Sequence, residues 1–226
     1  MLPIGDDNSR RRTFPFITYG LAALNVAVFV VELGQPDPQR YLAQWGATPA
    51  QISAGHSLVT LVTSMFLHAG WAHLLGNMLF LVIFGDNVED AFGHLRYLAF
   101  YLVCGIAASL AQVALAPGSG VPSVGASGAI SGVLAAYVVM FGNNPVRVLL
   151  GIFPVVVPAY VMIGLWIALQ FVYGAASLGN TQQSGGVAYG AYVGGFLCGL
   201  LLTFILRPSR RRPLRPYNRP YNRRWY

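Results

Sequence analysis

Gly125-Ala126-Ser127-Gly128 sets a serine among small residues at the mouth of an apolar run. A serine just inside a helix N-terminus lies beside unpaired N–H groups and the positive end of the helix dipole. An oxyanion would be stabilised there, so the chemistry to consider is acyl transfer with the hydroxyl as nucleophile. The same residues suit a plain N-cap or a close helix crossing, because Gly128 and Gly132 lie four apart on one face. His73 and Asn77 are also four apart and share a helix face. Tyr192 brings a phenol into a second small-residue run containing Gly185, Gly186, Gly190, Gly194, Gly195 and Gly199. There Gly186, Gly190 and Gly194 recur every four residues, as do Ala191, Gly195 and Gly199. Such a segment must pack very closely on a neighbour. The segment carrying Gly128 and Gly132 is the natural partner, and that pairing would bring Tyr192 near Ser127. A structural role is open to each polar residue: interhelical hydrogen bonding for His73 and Asn77, an interfacial ring for Tyr192. His56 and His68 read as loop or interface residues. Four scattered histidines offer no metal site, and nothing in the chain calls for a cofactor.

The elements that must position these residues follow from composition. The chain has 226 residues, 55% of them hydrophobic and 9% charged, with a mean hydropathy of +0.56. Soluble domains carry roughly 25% charged residues. The reading is an all-α polytopic membrane protein, one domain of about six short spans of roughly 20 residues each. A polar cytoplasmic segment (1–13) precedes the six-helix membrane domain (14–206), and a basic cytoplasmic tail (207–226) follows it. The spans are expected at 14–33, within 58–85, at 95–115, 123–141, 153–175 and 186–206. A short polar turn holding Asp86, Glu89, Asp90, His94 and Arg96 separates the second from the third. The segment 34–57, with Tyr41, Leu42 and Trp45, is either interfacial or an ordinary loop. Asp6 and Asp7, followed by a long apolar run, exclude a cleavable signal. The second, fourth and sixth spans all start on the outer side, so His73, Asn77, Ser127 and Tyr192 come to similar depth a little below that surface. Polar groups inside spans are expensive, which makes these four the candidates for function.

The net charge of +7 comes from arginine alone, since the chain has no lysine, and eight of the 14 arginines lie at or beyond Arg207. A basic tail is not a nucleic-acid-binding face. With six spans, Arg10–Arg12, Arg96, Arg147 and the tail share one side and only Arg40 lies on the other, which puts both termini in the cytoplasm. The absence of lysine is what a GC-rich genome produces, and it points to a bacterial inner membrane. Cys104 and Cys198 sit in apolar runs as buried small hydrophobes. The tail repeats Arg-Pro-Tyr-Asn at 215–218 and 219–222, a composition that does not fold alone. Its partners would be anionic headgroups, or a protein docked through Tyr217, Tyr221, Trp225 and Tyr226.

From about residue 14 to 206 the chain resembles the rhomboid intramembrane serine proteases. His68…His73-x-x-x-Asn77 resembles that family's second-helix motif, and Glu89…Gly93-His-Leu-Arg96-Tyr97 the start of its third helix. Gly125-Ala126-Ser127-Gly128 resembles the nucleophile motif, and Tyr189-Gly190-Ala191-Tyr192-Val193-Gly194-Gly195-Phe196 the sixth-helix motif. The resemblance implies a six-transmembrane-helix rhomboid bundle with a water-filled cavity open to the outside. It also implies Ser127 as nucleophile, with His73, Asn77 and the Ser127 N–H as the oxyanion site. The family's general base is a histidine two residues before the Gly194-Gly195 pair. Here that position holds Tyr192, and no histidine occurs after His94. A phenol with an ordinary pKa of about 10 is on the order of 0.1% ionised at neutral pH. Losing one member of a serine catalytic unit typically costs about 10⁴ in rate. The family often has a bulky aromatic where this chain has Gly190. Two functions follow. One is a proteolytically inactive or impaired member, a pseudoprotease that binds transmembrane helices of partner proteins or serves as a membrane-complex subunit. The alternative is an active intramembrane endopeptidase that uses Ser127 with a non-standard base, His73 or a deprotonated Tyr192. A channel or transporter is disfavoured, because no charged residue lies at mid-span.

Overall fold

The computed structural model describes residues 2–9, 11–177 and 188–206. In chain order the elements begin with strand β1 (Leu2–Asp6) and helix α1 (Phe16–Leu33). The short helices α2 (Pro38–Trp45), α3 (Pro49–Ser53) and α4 (Thr60–Thr63) come next, then a 3-10 turn at Ser64–Phe66. Helices α5 (Trp71–Phe92), α6 (His94–Leu115) and α7 (Ser127–Phe141) follow. A hairpin of β2 (Pro145–Leu150) and β3 (Phe153–Pro158) leads into α8 (Ala159–Ser177) and α9 (Tyr189–Leu206). Helices α1, α5, α6 and α9 are long and apolar enough to cross a membrane, while α7 and residues Ala159–Val172 of α8 are shorter apolar helices. These six make the helical bundle expected from composition. Arg10, Gly185, Gly186 and the tail 207–226 lie outside the described residues.

Helix α7 is the axis of the bundle. Every residue from Gly128 to Tyr137 is buried, as a helix apolar all round must be. The two small-residue rows on α9 turn out to serve two neighbours. Gly195 and Gly199 lie against Gly128 and Gly132 of α7, while Gly190 faces Gln112 and Leu115 of α6 and Gly194 faces Ala107 and Ala111. At Gly195 even a methyl group would come 2.6 Å from Ser131 Oγ, with the Gly128 carbonyl closer still. Among lipid tails, close packing of this kind is the main source of helix association.

Three boundaries differ from the sequence reading. The second span begins only at Trp71, because residues 58–70 fold into a one-turn helix and a 3-10 turn that lead to the buried His68. The expected polar turn from Asp86 is helix as far as Phe92, and Gly93 (φ +81°) makes the break. Its polar residues read as loop because their partners are remote in sequence. The buried Glu89 carboxylate accepts from the Ile17 N–H at 3.0 Å and from the Thr18 N–H and hydroxyl at 2.7 Å each, and it pairs with His94 Nδ1 at 2.5 Å. It thereby satisfies two orphan donors at the start of α1. Arg11 binds Asp86 at 2.5 Å, and Asp90 accepts from the N–H groups of Arg12 and Thr13.

The third difference is an antiparallel sheet in the order β1-β2-β3. It was read as polar leader, loop and the start of a span. Asp6 pairs with Val146, and Val146 in turn with Val157. Two prolines within β3 and a remote partner for β1 left no local strand signal.

Candidate active site

Ser127 is the first residue of α7. The first intrahelical bond there runs from the Ile130 N–H to the Ala126 carbonyl at 3.0 Å. The N–H groups of Ser127, Gly128 and Ala129 thus precede the hydrogen-bonded ladder and form the positive end of a well-buried helix. The approach to Ser127 is fixed from outside the helix. Ala47 and Ser123 exchange two backbone bonds of 2.9 Å, and the Gly125 N–H donates to the Ser64 carbonyl at 2.8 Å. Gly125 itself has φ +121°. A Cβ at this position would lie 2.6 Å from both Cε1 and Nε2 of His73 and 3.5 Å from Asn77 Nδ2. Only glycine combines that backbone angle with that approach.

The four polar residues singled out in the sequence meet here. His73 and Asn77 lie in the first two turns of α5, with the Asn77 amide buried. Tyr192 lies in the first described turn of α9, nearer the helix start than the sequence reading placed it. It lines the same cavity as Ser127, and its ring packs edge-on against Trp166 of α8 at 5.8 Å. A cavity of about 270 Å³ joins the cluster, lined by His73, Gly125, Ser127, Gly128, Ala191 and Tyr192 among others. Small side chains dominate its walls, with Ser64, Ser109 and Ser123 the further hydroxyls. The glycines have a different part: Gly128, Gly132, Gly190, Gly194 and Gly195 hold α6, α7 and α9 at backbone contact.

One residue of the site enters the sequence reading through the family motif alone. His68, taken as a loop or interface residue, is fully buried. Its Nε2 accepts from Asn77 Nδ2 at 2.9 Å, and its backbone N–H donates to Glu32 at 3.2 Å. Its ring packs edge-on against His73 at 5.1 Å and Phe29 at 6.5 Å. His68 therefore packs against or bonds to both His73 and Asn77. The available signal was a polar side chain alone in an apolar stretch, five residues before His73.

Chemically the arrangement holds the Ser127 and Tyr192 hydroxyls on one cavity wall, the first N–H donors of α7 beside them, and one imidazole, His73. Nothing on α9 among the described residues is a base of ordinary strength at neutral pH.

The sequence comparisons agree with this geometry. Residues 55–209 match the Rhomboid domain. Over 190 residues, 83% of this chain, it is 31% identical to Rhomboid protease GluP of Bacillus subtilis, covering 35% of that protein. It is 31% identical over 194 residues, 82% of this chain, to Rhomboid protein 1, mitochondrial, of Saccharomyces cerevisiae, covering 51% of it. Rhomboid protease AarA of Providencia stuartii is 30% identical over 229 residues, covering 87% of this chain and 75% of that protein. The chain thus spans about a third of the Bacillus relative and about half of the yeast one.

Proposed function

This chain belongs to the rhomboid family of membrane proteins, and from that premise we propose that it is a proteolytically inactive or strongly impaired member that holds transmembrane helices of partner proteins. One observation carries the reading: the polar α9 side chain that shares the cavity with the Ser127 hydroxyl is a phenol, Tyr192. Attack by serine needs a group that takes its proton, and one with a pKa near the working pH does so best. A phenol, with an ordinary pKa of about 10, leaves the proton where it is. The donors aimed at the oxyanion position remain, so a backbone carbonyl of an unwound partner helix could still be bound there without being cleaved. The side wall supports lateral access, because α8 meets α5 through the ring pair Phe80–Trp166, with centroids 5.9 Å apart. The partner, on this reading, is a helix entering from the lipid. Both termini lie in the cytoplasm of a bacterial cell, and the tail 207–226 binds anionic headgroups or a protein of the same complex.

A second reading rests on His73, which lines the same cavity as Ser127. A rotated His73 would serve as base at the cost of the oxyanion donor it otherwise supplies, giving a slow endopeptidase.

The experiment compares the purified protein with Ser127→Ala in detergent, using a single-span substrate and a fluorophosphonate probe. The expected outcome is no serine-dependent cleavage and no labelling of Ser127, together with co-purification of an intact single-span helix. Cleavage that Ser127→Ala abolishes would establish the second reading.

A further inference from the structure

The sheet at the arginine-bearing end has an apolar face longer than the bundle it packs on. In the β2–β3 ladder, Val146 pairs with Val157, Val148 with Val155 and Leu150 with Phe153. These pairs alternate with Arg147–Val156 and Leu149–Pro154, so the first three share one face. Exposure along that face rises steeply. Val146 and Val148 are wholly buried in the core that continues through Ala159 and Met162 of α8. Two residues further out, Leu150 is 45% exposed and Phe153 opposite it 68%. The face that seats the sheet on the bundle therefore runs past the bundle's edge, still turned toward the side on which the spans lie.

The tip itself is wrong for water. Gly151 has φ +62° and Ile152 a negative φ, the pattern of a two-residue turn with glycine first. Positions in such turns favour Gly, Asn, Asp and Ser. Here the second position is Ile152, 84% exposed. The strand β3 then continues into α8 with no linker, and α8 presents Tyr160, Val161 and Leu165 to its surroundings. These belong to the lipid-facing surface of a span, and the overhang is continuous with it.

We infer that the β2–β3 hairpin tip, Leu150 to Phe153, is embedded in the lipid leaflet beside the bundle, so that this sheet serves as a membrane anchor. The occupant of the overhanging face is lipid, because that face points the way the spans point and joins the surface of α8. Embedding removes three large apolar side chains, Leu150, Ile152 and Phe153, from water. It would also fix the start of α8 at the interface, where Trp166 two turns on meets Tyr192.

The test uses the full chain carrying Cys104→Ala and Cys198→Ala, reconstituted in vesicles of phosphatidylethanolamine and phosphatidylglycerol. Single cysteines at Ile152, Phe153 and Val156 carry a nitroxide. Collision with a water-soluble nickel chelate should be several-fold lower at 152 and 153 than at 156, and collision with oxygen higher. Equal chelate access at all three sites overturns the inference. So does protection at 152 and 153 seen only in native membranes and lost in pure lipid, which would assign the face to a protein. Ile152→Asp with Phe153→Asp, both on exposed side chains, should expose a label at Leu150. An unchanged signal there also overturns it.

Discussion

The two ends of the bundle handle polar groups in opposite ways. At the arginine-bearing end, Glu89 takes four bonds from three residues, Asp86 takes Arg11, and Asp90 takes the backbone of Arg12 and Thr13. Each carboxylate there fastens the N-terminal segment to α5. At the other end, Ser127, His73 and Tyr192 line a cavity, and the first helical N–H groups of α7 have no ladder partner. The α6–α7–α9 contact joining the two ends is glycine against backbone. The carboxylates of the first end, Asp6 Oδ1 apart, are saturated and hold the fold; the other end is left with donors to spare. In a membrane an unsatisfied donor is costly, so the unsaturated end is where a ligand is expected. The same comparison says what should happen when each end is altered: the site end should change activity, and the saturated end should change stability.

The largest effect is expected from restoring a base at the site end. Tyr192→His places an imidazole against the Ser127 hydroxyl, and a positioned general base contributes at least about 100-fold. Cleavage of a single-span substrate should rise by that factor or more and vanish with the added Ser127→Ala. No gain would mean that the cavity no longer seats a peptide in reach of the serine, which would remove the catalytic half of the comparison.

Next comes Glu89→Gln at the saturated end. The amide turns an NH₂ group toward N–H donors, and breaking a buried charged cluster costs about 3 kcal/mol. Thermal unfolding in detergent should show the loss, whereas fluorophosphonate labelling of a Tyr192→His protein should survive below the lowered transition. Loss of labelling at temperatures where the fold persists would show that the two ends are coupled.

Gly195→Val tests the glycine contact that separates them. The added side chain meets the Gly128 carbonyl and Ser131 Oγ, and overpacking of this kind typically costs about 1–3 kcal/mol. Because Gly128 follows Ser127, this variant should lower both stability and any activity gained through Tyr192→His. Activity unchanged at reduced stability would show that α7 can shift without moving the serine.

The sequence made these two ends unequally legible. The site residues announced themselves by periodicity: His73 and Asn77 four apart, and two glycine rows on one helix. Such patterns survive in a single sequence because one helix carries them. Topology then brought them to one depth, and the structure brings them together. His68 was legible only through the family motif, because its place depends on a turn before α5, not on a helical period. The saturated end was misread for the same reason. Glu89 looks like a loop residue until Thr18 is seen beside it, 71 positions earlier in the chain. The sheet was invisible because β1 pairs with a strand more than 130 residues away, and its own five residues show no alternation.

The finest test addresses pH at the saturated end. Asp6 Oδ2 accepts from Tyr137 at 2.5 Å and from Asn87 at 2.8 Å, while Oδ1 is buried without a partner. Burial first, and then the Asp86 charge, push the Asp6 carboxyl up to about 7. In the unfolded chain an aspartate titrates near about 3.9. Between those values the folded protein keeps a proton that the unfolded chain releases. Stability from this group is therefore complete below about pH 4 and is lost as pH rises through about 7. Asp6→Asn is neutral at every pH and still accepts from both partners. Its unfolding temperature should fall less than the wild type's between pH 5 and pH 8. Equal slopes would move the titration to another group, with Asp86 and its partner Arg11 the nearest, and would leave the β1 strand held by neutral bonds alone.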